Sequence, residues 1–139
     1  MDYREVSASR EFVARMGHGA DWRAEIEHLA AEAGVEAAWF TAMGAVQDAE
    51  LWYYDQDDLE YRSVEFEEPL EVAACVGNVA LLDGEPFAHT HAVLSRRSGQ
   101  TLAGHLDSAT VWAGELHMRA FEEPLEREHD PVTDLDLWL

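Results

Sequence analysis

The feature that most constrains the fold of this chain is a pair of strand-like runs that carry three of its seven histidines. The runs comprise residues 86–95 and 100–106, and a short segment of two arginines, a serine and a glycine joins them. Residues two apart on a β-strand point to the same side of the sheet, so His89 and His91 share a face. The sequence therefore predicts a β-hairpin with two imidazoles on one of its faces.

The length of the turn decides which face of the hairpin His105 occupies. A three-residue loop over residues 97–99, closed by its glycine in the left-handed region, is a common hairpin connection and pairs Arg96 with Gln100. Continued along the ladder, this register places His91 opposite His105, on the same face. A two-residue loop would move every side chain of the returning strand to the other face. The three histidines therefore come together only with the longer loop.

Three histidines on one face form a candidate metal site. Directly opposed residues have Cβ atoms about 4.5–5.5 Å apart, so His89, His91 and His105 would form a triangle, with Asp107 across from His89. Imidazole binds zinc, copper, iron and nickel. Zinc, rather than another divalent metal, is favoured because a three-histidine zinc site keeps a fourth position for water. The alternative is three polar side chains that face solvent or satisfy their hydrogen bonds internally.

A zinc ion at such a site could support catalysis. It would lower the pKa of bound water toward about 7 and so permit hydrolysis of a small molecule. A carboxylate would have to act as base or orient the water, and Glu85 and Asp107 are nearest in sequence. Another subunit could also complete the site. The chain has no nucleophile elbow, phosphate-binding glycine loop or dinucleotide fingerprint, so its sequence leaves open whether it is an enzyme.

The other histidines and the single cysteine fit structural roles. We expect His18, His28 and His129 in loops or on the surface, and we rank His117, on a later strand, below the three hairpin histidines as a ligand. Cys75 lies in an apolar run, and we expect it to be buried packing rather than a nucleophile.

Length and composition indicate how many domains the chain has and in which cellular compartment it works. A length of 139 residues suits one domain, taken as residues 1–139. No apolar run approaches 18 residues, and the N-terminus lacks the apolar core of a secretion signal. A lone cysteine suits a reducing compartment. The sequence predicts a cytoplasmic protein without membrane attachment.

The charge of the chain is extreme. The chain contains 29 Asp and Glu residues and nine basic residues, all arginine, which gives a formal net charge of −20. Self-repulsion of this size destabilises a compact state at low salt, and a Debye length of about 3 Å at 1 M salt removes most of the penalty. This composition predicts a halophilic protein of haloarchaeal type, with an ordinary mesophilic acidic protein as the alternative. The same charge disfavours nucleic acid, which requires basic contacts.

The pattern of elements predicts the α+β class: a curved, mainly antiparallel sheet with one flanking helix at about residues 21–33. Asp21 is the predicted N-cap and Gly34 the stop. The strand at residues 70–82 is expected to be broken at Gly77 and Asn78. Further strands are predicted at residues 11–16, 35–46, 50–54, 59–66 and 110–121.

One helix cannot cover a sheet of this size. The uncovered face would expose aromatic and aliphatic residues, which usually means self-association into a closed homo-oligomer. The acidic tail after Glu122 ends in an apolar run that includes Trp138. We therefore expect the tail to pack on its own sheet or on a neighbouring subunit.

A succession of motifs resembles the plants-and-prokaryotes-conserved (PPC) domain over about residues 15–139. The histidine block is the most specific part, although Ala103 replaces the first of two glycines that precede His105 in the family. The motifs are Gly44-Ala45, Phe66-Glu67-Glu68-Pro69, Gly77-Asn78, Gly84-Glu85-Pro86-Phe87 followed by His89 and His91, and Gly104-His105-Leu106.

The resemblance implies an antiparallel sheet with a flanking helix, assembled as a trimer, and a metal, zinc, on His89, His91 and His105. In plants the domain follows an AT-hook in nuclear DNA-binding proteins. This chain has no AT-hook and looks like a free-standing archaeal member, a group whose prokaryotic relatives are often labelled DNA-binding.

Three functions remain open. The first is a homotrimeric metal-binding protein with a ligand-sensing or scaffolding role and a small molecule near the metal. The second is a metal-dependent enzyme of hydrolase type. The third is a DNA-associated regulator, as the family label suggests, which the charge of −20 disfavours.

Overall fold

The computed structural model describes residues 1–138, which form one helix and ten strands. The predicted α+β class is confirmed. The elements in chain order are β1 Ala8–Met16, α1 Trp22–Ala33, β2 Ala37–Val46, β3 Ala49–Asp55, β4 Glu60–Phe66, β5 Leu70–Leu82, β6 Glu85–Ser95, β7 Thr101–Ser108, β8 Val111–Phe121, β9 Arg127–Asp130 and β10 Leu135–Trp138.

Eight of these strands form one sheet in the order β1-β8-β2-β5-β6-β7-β3-β4. Each neighbouring pair in this sheet is antiparallel. Strands β9 and β10 pair with each other as a separate two-stranded sheet. The hairpin of β6 and β7 therefore lies inside the large sheet, with a strand on either side.

The helix begins and ends where its capping residues predict. The Asp21 carboxylate accepts a hydrogen bond from the backbone N–H of Ala24, and Gly34 adopts the left-handed conformation with φ of 61°. Trp22, Ile26 and Ala30 are fully buried against one face of the large sheet. This face carries the hydrophobic core. With 12 residues, the helix falls short of the length and apolar character needed to cross a membrane.

The opposite face of the sheet carries a row of residues that are directly opposed from strand to strand. Opposed residues share a face, and core residues such as Phe40, Cys75 and Ala92 alternate with the row along their strands. The histidine pair of β6 and β7 thus belongs to the face that the helix leaves uncovered. The row runs Val13, His117, Thr41, Val76, His91, His105, Trp52 and Ser63.

The predicted break in β5 is wrong. The strand continues without interruption from Leu70 to Leu82. Gly77 lies opposite Phe40, and a Cβ atom at this position would lie 2.3 Å from Cζ of Phe40 and 2.2 Å from the carbonyl oxygen of His89. The glycine therefore makes room for a buried ring inside a regular strand.

The C-terminal segment packs on its own sheet. The ring centroids of Trp138 and Trp39 lie 6.5 Å apart, and the Tyr54 hydroxyl donates a hydrogen bond to the carbonyl of Thr133. Leu125 is buried in a small cluster beside the main core. The packing was predicted, whereas the β9–β10 hairpin itself was not, because β9 contains no apolar residue.

Candidate metal centre

The turn between β6 and β7 has the predicted geometry. Gly99 has φ of 83°, its N–H donates to the carbonyl of Arg96 over 2.8 Å, and the N–H of Arg96 donates to the carbonyl of Gln100 over 2.9 Å. A glycine is favoured at this position because its backbone is left-handed. This loop sets the register in which His91 lies opposite His105.

The three histidines converge on the uncovered face. One ligand nitrogen from each of His89, His91 and His105 lies within 4.8 Å of the other two. The Nε2 atoms of His89 and His91 are 3.2 Å apart. Ligand nitrogens on one tetrahedral zinc, with bonds of about 2.0–2.1 Å, lie about 3.3 Å apart. The Nε2 atoms of His89 and His91 are therefore close to that spacing, and a small rotation of the His105 ring would complete the set of three ligands.

Burial keeps these imidazoles neutral. It lowers the pKa of His105 to about 4, with the nearby charges of His89 and His91 adding to the effect. Burial likewise lowers the pKa of His89 to about 4, helped by the positive charge of Arg127. The pKa of His91 is also lowered by burial. A neutral imidazole is the form that binds a metal, so at neutral pH the site needs no deprotonation.

The residues present fit a metal ion. The Nδ1 atom of His105 is buried and has no hydrogen-bond partner among the described residues. An unpaired buried nitrogen is rare in native proteins and calls for an explanation. A neutral donor set of three imidazoles, with one ring nitrogen unsatisfied, is what a borderline metal such as zinc binds.

A cavity of about 400 Å³ opens beside two of the histidines. His89 and His105 line it together with Arg23 from the helix and Arg127 from β9. Sequence reasoning missed both arginines, since only the packing of the helix and of the C-terminal hairpin brings them here. The other lining residues are Trp52, Tyr61, Leu82, Phe87, Asp107, Asp134, Leu135, Asp136 and Leu137.

The two carboxylates named from the sequence have different surroundings. The β6–β7 ladder extends from Ser95–Thr101 to His91–His105. Asp107 lies beyond the last pair of this ladder, so the predicted pairing of Asp107 with His89 is not part of it. The Asp107 carboxylate instead lines the cavity and contacts Arg23 at 3.3 Å. Burial raises the pKa of Asp107. Glu85 is exposed at the start of β6 and does not line the cavity.

The remaining candidates lie away from the centre. His117 lies in the same row but on β8, where its Nε2 is 3.5 Å from a carboxylate oxygen of Glu11. His28 has a side chain that is 66% exposed. Cys75 is buried, and burial raises the pKa of its thiol to about 11, which confirms its packing role.

Fold and site together define a class: a single-helix, antiparallel-sheet domain with a three-histidine cluster. The model of the Plants and Prokaryotes Conserved (PCC) domain matches residues 3–122. The chain belongs to this family, which is the one that its sequence motifs resemble.

Solved structures agree with this assignment. A metal-containing protein from Archaeoglobus fulgidus is 39% identical with a TM-score of 0.95, covering 100% of this chain and 99% of that one. A plant- and prokaryote-conserved protein from Pyrococcus horikoshii is 27% identical with a TM-score of 0.94, over 100% and 97%. A protein from Bacteroides thetaiotaomicron, provisionally described as DNA-binding, shares the fold at 21% identity and a TM-score of 0.87, over 96% of each chain. Among curated proteins, no match was found.

Proposed function

We propose that this protein is a homotrimer in which each chain holds one divalent metal ion, zinc, on His89, His91 and His105. Its role is to sense or scaffold a small-molecule ligand beside the metal. One observation carries the proposal: three neutral imidazoles converge within 4.8 Å next to a cavity of about 400 Å³. The metal-containing relative from Archaeoglobus fulgidus supports it.

The metal is tested by elemental analysis of protein purified without a polyhistidine tag. We expect about one divalent ion per chain. His89→Ala and His105→Ala should each lose most of it, because two imidazoles hold zinc far less tightly than three. His28→Ala is the matched control, since that side chain is exposed. Metal-free protein with all three histidines intact would contradict the proposal.

Self-association is supported by the uncovered face of the sheet. Val13 on β1 is 86% exposed and Met43 on β2 is 58% exposed, and the two side chains line one open groove. Exposed apolar residues that cluster in this way favour an interface between subunits. A second chain on this face would cover them and extend the core.

The oligomer is tested by sedimentation velocity. We expect three chains of 15.6 kDa each, and we expect Met43→Glu to dissociate them because the new carboxylate would be buried without a partner. Val132→Glu places the same charge in the turn before β10 and should leave the trimer intact. A monomeric wild-type chain would refute the assembly while leaving the metal site untouched.

A metal-dependent hydrolase is the second candidate, favoured by the position of Asp107. Its carboxylate lines the cavity with His105, and burial raises its pKa, as is common for acid–base groups. A bound zinc would supply an activated water. In this role Asp107→Asn would retain the metal and abolish turnover of a hydrolysable ligand.

A further inference from the structure

Arg127 places a positive charge in the wall of the cavity that His89 and His105 line. Arg127 begins β9 and lies outside the segment that the family model matches, residues 3–122. Its guanidinium lies 5.2 Å from the ring of Phe87, in the wall of the cavity. The C-terminal hairpin therefore brings a cation to the metal centre.

The hydrogen bonds of Arg127 hold the guanidinium in place without neutralising it. One terminal nitrogen donates to the side-chain oxygen of Asn78, and the other donates to the backbone carbonyl of Asp136 over 3.0 Å. Its Nε atom is buried and has no partner in the described part of the chain. Each terminal nitrogen of an arginine carries two N–H donors, so two of the four terminal donors of Arg127 remain for another acceptor.

Among residues 1–138, no carboxylate forms an ion pair with Arg127. Arg23, whose guanidinium lies 5.5 Å from the ring of Phe87, differs because it contacts Asp107 at 3.3 Å and Glu27 at 3.7 Å. In a chain with a net charge of −20, a half-buried cation whose nearby carboxylate, that of Asp136, acts on it without forming an ion pair is conspicuous.

Three aspartates also line the cavity. Asp107 pairs with Arg23. Asp134 and Asp136 lie 3.4 and 3.7 Å from the ring nitrogens of His129, and their side chains are about half exposed, so water screens their charges. A divalent ion on three neutral imidazoles would add two positive charges to those of the arginines. The loaded cavity therefore favours a negatively charged guest.

We propose that the cavity binds a small carboxylate, whose carboxyl group is held by Arg127 beside the metal centre. This inference rests on the proposed metal site and names the class of its ligand. A planar carboxylate matches the fork of guanidinium donors. In the metal-loaded cavity the positive charges of the ion, Arg23 and Arg127 exceed the negative charges of the three aspartates by one. This balance suits a monoanion better than a phosphate, which carries about −1.5 to −2 charges at pH 7. The volume of about 400 Å³ limits the guest to a small molecule.

The rest of the cavity wall suits the body of such a ligand. Its apolar members include Trp52 from β3, Leu82 from β5, Phe87 from β6 and the leucines of β10. A bound ligand would displace water from this apolar wall, and a charge pair between Arg127 and a carboxylate is stronger where water is excluded. Arg127 thus supplies the charge selectivity that the apolar wall lacks.

The test is isothermal titration calorimetry on the metal-loaded full chain with glycolate, its neutral analogue glycolamide, and inorganic phosphate. We expect glycolate to bind more tightly than the other two. Arg127→Gln should weaken glycolate by about tenfold or more, since hydrogen bonds to charged groups are among the strong ones, and should leave glycolamide unchanged. Arg127→Lys, which keeps the charge, should lie between.

The control is Arg62→Gln, which removes the same charge from an exposed arginine that pairs with Asp55 and Asp58 away from the cavity. Equal affinities for glycolate in wild type, Arg127→Gln and Arg62→Gln would overturn the proposal, as would tighter binding of phosphate. If Arg127→Gln does not fold, two measurements still test the proposal. They are the preference of wild type for glycolate over glycolamide and the affinity of Arg127→Lys for glycolate.

Metal content, measured on the same samples, separates this proposal from the one on which it rests. A wild-type chain that holds metal but does not distinguish glycolate from glycolamide contradicts only the carboxylate assignment. A wild-type chain that holds no metal contradicts the metal centre itself. An unchanged metal content in Arg127→Gln, together with weakened glycolate binding, supports both.

Discussion

At the scale of single residues, the candidate metal centre combines histidine with burial. A half-buried imidazole resists protonation, because the charged form loses hydration that the interior does not replace. His89 and His105 both have their pKa lowered to about 4. The same burial that makes them ready ligands at neutral pH therefore makes the metal-free protein sensitive to acid.

The sign of this sensitivity follows from linkage. Between an unfolded pKa of about 6.5 and a folded pKa of about 4 for His105, the unfolded chain binds more protons, so the free energy of unfolding falls as the pH falls through this window. Urea unfolding of chelator-treated protein at pH 7 and pH 5.5 should show this loss. His105→Gln should show a smaller loss and His28→Gln the same loss as wild type. A loss that His105→Gln leaves unchanged would contradict the role of burial.

At the scale of elements, the centre depends on how the hairpin strands fit their neighbours. Strand β6 passes β5 at Gly77, where the His89 carbonyl and the Phe40 ring leave no room for a side chain. The backbone that carries His89 is thus held by a contact on the core side of the sheet. Core packing and metal geometry are therefore coupled through one glycine.

We expect Gly77→Ala to lower the free energy of unfolding by about 1–3 kcal/mol, the usual cost of overpacking. It should also weaken metal binding, because His89 must move to relieve the clash. Gly17→Ala is the matched control, since its added Cβ would make only an ordinary contact, at 3.4 Å from Glu25. Chemical denaturation and metal titration measure the two effects. A Gly77→Ala variant as stable as Gly17→Ala would show that the sheet accommodates the added methyl group, which would contradict this prediction.

At the scale of the whole molecule, the net charge of −20 is the dominant long-range term. The few ion pairs lie mostly at exposed positions, such as Arg62 with Asp55 and Arg119 with Glu11, and exposed pairs contribute little. Most carboxylates therefore repel one another across the surface. We propose, on this basis, that the protein is adapted to high salt.

The thermal midpoint of unfolding should rise as potassium chloride increases from 0.1 M to 1 M, because the Debye length falls from about 10 Å to about 3 Å. A triple variant that neutralises the exposed Glu60, Glu67 and Glu122 as glutamines should show a smaller rise. Calorimetry at each salt concentration provides the measurement. A midpoint that does not respond to salt would remove the halophilic interpretation.

The sequence alone determined the helix with both caps, the register of the β6–β7 hairpin and the three histidines. These features follow from local rules: capping by Asp21 and Gly34, a left-handed Gly99, and the two-residue period of strands. Each is decided within a few residues, so no knowledge of distant contacts was needed.

The tertiary structure alone decided what surrounds the histidines. The order of the strands, the continuity of β5 at Gly77 and the placement of Arg23 and Arg127 beside the cavity depend on contacts between segments far apart in sequence. Arg127 lies in an acidic tail without a strand pattern, and only the packing of that tail on the sheet brings it to His89 and His105. The three candidate metal ligands thus follow from local periodicity, whereas the side chains that surround them are brought together by long-range packing, which a local pattern does not encode.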